Sequence, residues 1–172
     1  MRPRAAPLTA MLAGVCLTAG PALVAPVPRL VWNASASLPE GLYRVRPPGN
    51  LAIGDIALAR APAALVPLFA DRGYLPAGVP LLKRVSALPG STVCRDGLQI
   101  AIDGIAADQA RERDRHGRTL PVWKGCRVLG DGEVFLMNRG VPDSLDGRYF
   151  GPVPVASIIG RAVPLWTYEG RR

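Results

Sequence analysis

Uncharged positions run without interruption from Ala5 to Pro28, behind Arg2 and Arg4, and the next charge is Arg29. About 20 apolar residues cross a bilayer core as a helix, and basic residues ahead of such a run keep the N-terminus cytoplasmic. The pattern predicts a membrane anchor over residues 1–31, with residues 32–172 held outside the cytoplasm. Trp32, close to Arg29, suits the outer interface. A cleaved signal peptide is the alternative, since Leu8 to Leu17 would serve as its apolar centre and Ala19 lies among small residues. Pro21 and Pro26 lie close to the plausible cut sites and favour retention, and Cys16 follows Val15 rather than the small residue that a lipoprotein signal requires.

Beyond the apolar run the pattern shortens to strand length. Asn33 to Tyr43 reads as a bend, forced by Pro39 and Gly41, that opens into a strand over Gly41 to Arg46. Further strands are predicted at Ile56 to Arg60, Leu81 to Leu88, Leu98 to Ile102 and Glu133 to Met137, with one or two more between Ile158 and Trp166. Asp103-Gly104 marks a hairpin turn. Pro62 to Tyr74 is a short helix or an apolar flap with Pro67 as a break, and residues 107–121 are a polar excursion. No repeat and no interdomain linker interrupt the series. The expected fold is mostly β, a barrel or sandwich domain behind one N-terminal transmembrane helix.

Composition agrees: 18 prolines and 19 glycines in 172 residues suit short strands and turns. The formal charge of +8 raises a nucleic-acid reading, but the basic residues are scattered with few aromatics among them. Arg111 to Arg118, the densest cluster, also carries acids and reads as a solvated loop. Attraction to an anionic phospholipid surface is the second reading of that cluster. Cys94 and Cys126 flank the hairpin and the polar loop; outside the cytoplasm they are permitted a disulfide, and otherwise remain two free thiols. The Cys and His residues show no metal-ligand spacing, so neither a metal nor another cofactor is expected.

Of the 21 basic residues only Lys83 and Lys124 are lysine. Arginine stays protonated in proteins, whereas a buried lysine can lose its proton and act as a base. Lys83 lies in the apolar run Leu81-Leu82-Lys83-Arg84-Val85, a setting able to lower its pKa, unless it points outward to water. His116 is the only histidine and sits beside Gly117 in the charged loop, a poor place to hold a triad imidazole. A serine nucleophile in this chain therefore needs a lysine base.

Four segments in one order carry a resemblance. They are Ser-Ala-Ser-Leu-Pro-Glu-Gly-Leu-Tyr (35–43), Gly-Asp-Ile-Ala-Leu (54–58), Leu-Lys-Arg-Val-Ser-Ala-Leu-Pro-Gly (82–90) and Asp-Ser-Leu-Asp-Gly-Arg-Tyr-Phe-Gly-Pro-Val (143–153). Together they resemble signal peptidase I, a membrane-anchored Ser/Lys endopeptidase. The spacing Ser37-x-Pro39-x-Gly41-x-Tyr43 looks most like the TraF-type branch that matures conjugative pilin, since general leader peptidases place one residue more before the proline. Gly147 stands where the family often has serine.

The resemblance implies Ser37 as nucleophile and Lys83 as general base. It implies the Ser37 backbone N–H and the Ser35 hydroxyl as oxyanion donors, Ser144 as the group orienting the lysine, and Asp146 and Arg148 as structural support. It further implies a preprotein substrate, a pilin precursor of a conjugation or type IV secretion system, at the bacterial inner membrane with the catalytic domain periplasmic. Hydrolysis and cyclisation of the product remain alternatives, as do a general signal peptidase I and a non-catalytic periplasmic scaffold. A cytoplasmic self-cleaving repressor is disfavoured, because the apolar segment stands where a DNA-binding helix pair would.

Overall fold

The computed structural model describes residues 5–23 and 28–168. Helix α1 (Ala5–Leu23) occupies 19 residues and exposes Leu8, Met11, Leu12 and Leu17. Among the described residues no helix is long and apolar enough to cross a membrane. Of the anchor expected over residues 1–31, the described residues show the helix over Ala5–Leu23. The ends of the expected anchor, residues 1–4 and 24–27, lie outside the described residues.

Among the described residues, eleven antiparallel strands form two sheets. The strands are β1 (Leu30–Asn33), β2 (Glu40–Arg46), β3 (Ile56–Ala59), β4 (Leu81–Ala87), β5 (Thr92–Asp96), β6 (Gln99–Ile102), β7 (Ile105–Gln109), β8 (Gly125–Val128), β9 (Glu133–Leu136), β10 (Val153–Pro154) and β11 (Ile158–Tyr168). The larger sheet runs β1-β2-β11-β3-β4-β9-β10 and the smaller β7-β6-β5-β8. In β2 the side of Gly41, Tyr43 and Val45 is buried while Glu40, Arg44 and Arg46 face water, the alternation of a half-buried strand. The central strands β3 and β4 are buried on both sides except at Arg84, which is why they read as continuous apolar runs.

The C-terminal segment is one strand rather than two. It lies between β3 and β2, pairing with β3 over 158–162 and with β2 over 161–168, with bulges at Ile158/Gly160 and Pro164/Trp166. The segment expected as helix or flap is a 3-10 turn (Ala63–Leu65) followed by α2 (Val66–Asp71). Pro67 lies in the first turn of α2, where a missing N–H costs nothing, so it starts the helix instead of breaking it.

The smaller sheet was legible only in part. Asp103-Gly104 does turn β6 into β7, with positive φ at both residues. The flanking strands β5, β7 and β8 carry no sequence signal of comparable strength. Every residue of β8 is exposed and β7 is largely so, which leaves no apolar alternation to read. Cys94 and Cys126 face each other across β5 and β8 and are joined by a disulfide.

The short helix α3 (Gly147–Phe150) was not anticipated. It begins at Asp146, whose side chain accepts a hydrogen bond from the Arg148 N–H, and Gly147 is packed too closely for any side chain. A Cβ there would lie 2.6 Å from Phe135 Cε2 and 2.7 Å from the Leu136 carbonyl oxygen. This accounts for glycine at position 147. Gly147→Ser is expected to destabilise the fold by roughly 1–3 kcal/mol, the usual cost of overpacking. Denaturant unfolding measures this, and adding Phe135→Leu should recover part of the loss.

Candidate active site

The loop after β1 is shaped by Asn33, the last residue of that strand, which pairs with Gly41 of β2. The buried Asn33 side chain faces inward. Its Nδ2 donates toward the carbonyls of Ser35 (3.0 Å), Leu38 (3.1 Å) and Pro39 (3.1 Å). Its Oδ1 accepts from the Ser35 N–H at 3.1 Å and the Ser35 hydroxyl at 2.9 Å. Tyr43 adds a hydrogen bond from its hydroxyl to the Pro39 carbonyl at 2.6 Å. Gly41 has φ +144°, and a Cβ on it would run into the Trp166 carbonyl of β11, so only glycine allows that close approach. These constraints fix both ends of the loop that carries Ser37.

Ser37 Oγ lies 3.0 Å from Ser35 Oγ and 3.2 Å from Lys83 Nζ. Lys83 projects from the middle of β4, which lies between β3 and β9, and it is only 4% exposed. Nζ donates to Ser144 Oγ at 2.8 Å. Burial lowers the Lys83 pKa to about 8, opposed by the Asp146 carboxylate and assisted by the Arg148 cation. A neutral amine in this position can accept the Ser37 proton while still donating to Ser144.

Ser144 is held from behind. Asp146 and Arg148 are both fully buried and form a two-pronged ion pair, with Nε and Nη2 each 2.9 Å from a carboxylate oxygen. Arg148 Nη2 also donates to the carbonyls of Ser144 (3.0 Å) and Val141 (2.7 Å). Asp146 Oδ2 accepts from the Asn138 N–H at 3.1 Å. The pair is thus a buried bracket and not a solvated salt bridge. Removing one partner would strand a charge in a dry interior.

The residues expected from sequence, Ser35, Ser37, Lys83 and Ser144, therefore meet at one place, with Asp146 and Arg148 directly beneath. His116 is exposed on the loop 111–118, with its backbone N–H bonded to Asp114 and no hydrogen bond to Ser37 or Lys83 among those described. Among the described residues no group of His, Cys, Asp or Glu side chains could hold a metal ion. The sequence reading gave Asn33 no role, though Asn33-Ala-Ser35 has the pattern of an Asx turn and could have signalled one. Asn138 and Asp108, which contact the bracket, carry no local signal at all. The serines and Lys83 open onto a cleft of about 790 Å³ that the loop 111–118 also lines.

The family model of signal peptidase, peptidase S26, matches residues 3–166. The chain belongs to the peptidase S26 signal peptidase family. It is 34% identical over 152 residues to the conjugal transfer protein TraF of Agrobacterium fabrum, covering 80% of this chain and 82% of that one. It is 30% identical over 148 residues to the plasmid transfer protein TraF of Escherichia coli, covering 80% of this chain and 76% of that one. A crystal structure of a signal peptidase I from Enterococcus faecalis is 21% identical with a TM-score of 0.37, covering 66% of this chain and 97% of that one.

The buried lysine of this S26 family member makes a stability prediction. Its folded pKa of about 8 lies below the ordinary lysine value of about 10.4, so between these pH values the unfolded chain binds the extra proton. Stability therefore rises with pH across that window, by about 3 kcal/mol in all. Lys83→Met should lack this rise, and denaturant unfolding of both proteins from pH 7 to 10.5 measures the difference.

Proposed function

We propose that the chain is a serine endopeptidase in which Ser37 and Lys83 act as a nucleophile–base dyad. The observation that supports this most is the buried Lys83 amine lying between Ser37 Oγ and Ser144 Oγ, at 3.2 and 2.8 Å. Ser37 Oγ attacks the scissile carbonyl carbon as its proton passes to Lys83 Nζ. The C–N bond then breaks, and the Lys83 ammonium returns the proton to the leaving amine. The Ser37 N–H and the Ser35 hydroxyl supply the donors for the oxyanion. Ser35 must then turn its hydroxyl from Asn33 Oδ1 to the developing charge, and its own N–H bond to Asn33 keeps the backbone fixed meanwhile. Ser144 aims Nζ, and the Asp146–Arg148 bracket aims Ser144.

The acyl-enzyme is resolved by water, or by an amine of the substrate to give a cyclic product. The substrate fitting this reading is a preprotein bound as an extended strand beside the serine. The names of the relatives, conjugal and plasmid transfer proteins, favour a pilin precursor of a conjugation system. The uncharged N-terminal segment would tether residues 32–172 to the inner membrane, with the dyad on the periplasmic side, where the Cys94–Cys126 disulfide is stable.

Mass spectrometry of candidate pilin precursors incubated with wild-type, Ser37→Ala and Lys83→Ala proteins tests the proposal. Cleavage by wild type alone is expected, with product mass separating linear from cyclic chains. Unchanged processing by either variant would sink the dyad.

The pH dependence gives an independent check. Only neutral Lys83 can accept the serine proton, so kcat/KM should climb about tenfold per pH unit below pH 8 and level off above it. A profile flat from pH 6 to 9 would contradict lysine as the base.

A further inference from the structure

The polar excursion is not a free solvated loop. Arg113 bridges to Thr119, Gly117 turns the chain, and Asp114 binds the loop together from within. The Asp114 carboxylate accepts from the backbone N–H groups of His116 (2.9 Å) and Arg118 (2.8 Å), from Arg118 Nε (2.6 Å), and from the Tyr74 hydroxyl. Arg118 also stacks over the Tyr74 ring at 5.0 Å. The loop is thereby fastened to the segment after α2, and Arg72 joins it by donating to the Thr119 carbonyl at 2.7 Å.

This places arginines in the cleft that holds Ser37. Arg72, Arg111, Arg113, Arg115 and Arg118 line it, against only Asp114 and Asp143 as acids. Asp143 is shared by Arg111 (2.7 Å) and Arg115 (3.4 Å), and Asp114 is occupied as described. Among the described residues, Arg72 and Arg113 have no carboxylate partner; each is steadied by a backbone carbonyl instead. The cleft thus carries a surplus of positive charge on guanidinium groups that are already ordered, the arrangement that binds carboxylates at low entropic cost.

We propose that this arginine-lined part of the cleft binds an acidic segment of the substrate peptide flanking the cut, and so contributes to substrate choice. The proposal rests on the peptidase reading of Ser37 and Lys83. A peptide is favoured over a lipid surface because the arginines line the same concave cleft as the serine, where a chain held for cleavage must pass. Electrostatic complementarity of this kind acts on encounter and selectivity, and salt weakens it.

The test uses the full chain and peptides spanning a small-residue cleavage site, alike except for a pair of Glu, Gln or Lys residues on one flank or the other. On one flank, Glu is expected to exceed Lys by about 10-fold or more in kcat/KM at low ionic strength, and by under about 2-fold in 0.5 M salt. The ratio should collapse in the Arg72→Glu/Arg113→Glu double variant. Binding of the same peptides to Ser37→Ala protein, read by fluorescence anisotropy, should show the same order without any cleavage. Equal binding of the three peptides on both flanks, or a preference that survives in the double variant, overturns the proposal. Cutting without charge preference removes this inference alone, whereas charge-selective binding without cutting removes the peptidase reading alone. Vesicles of phosphatidylglycerol that bind wild type and not the double variant, together with charge-blind peptides, would reassign the arginines to lipid and overturn it too.

Discussion

The proposed Ser37–Lys83 chemistry depends on keeping one ammonium group out of water. Lys83 is placed mid-strand in β4, at the centre of the larger sheet, and its burial outweighs the pull of Asp146 toward the charged form. Had Lys83 pointed to the other face of β4, where Arg84 meets water, its amine would keep the ordinary lysine pKa of about 10.4. β4 itself lies inside the sheet, between β3, which is buried along its whole length, and β9.

The same sheet also solves a problem of aim. A lysine side chain has many rotamers, and Lys83 is given one direction by Ser144 and a target by Ser37. Each serine is in turn held by something stiff. Ser144 hangs from a fully buried, two-pronged Asp146–Arg148 pair, and Ser37 sits in a loop tied by the Asn33 amide. Arg148 reaches further, to Asp108 and the Gln109 carbonyl on β7, and Arg95 of β5 donates to the Arg148 carbonyl. The smaller sheet, cross-linked by its disulfide, is therefore mechanically joined to the bracket beneath the lysine. Buried polar groups arranged in this way fix geometry more than they add stability.

Much was legible along the chain because it depends on local rules. Alternation in β2 and the continuous apolar runs of β3 and β4 identified strands, and Asp103-Gly104 identified its turn. The lysine embedded among Leu81, Leu82 and Val85, in a chain that has one other lysine and uses arginine elsewhere, marked the candidate base. The spacing of Ser37, Pro39, Gly41 and Tyr43, with the segments around Lys83 and Ser144, pointed to the family that the S26 match bears out. What failed locally failed for a physical reason. The exposed strand β8 has no buried face to generate a pattern, and Pro67 is compatible with either the start of a helix or its end.

The sequence by itself determined the strand-rich character of the chain, the set of residues able to do Ser/Lys chemistry, and the uncharged N-terminal run. Residue type and short-range spacing are enough for these. Only the tertiary structure decided which way Lys83 points, that Asp146 and Arg148 are buried, that Asn33 ties the serine loop, and that the arginines of 111–118 line the cleft. These depend on strands far apart in the chain lying side by side, and on the depth to which each side chain sinks between them. Neither is written in any one segment.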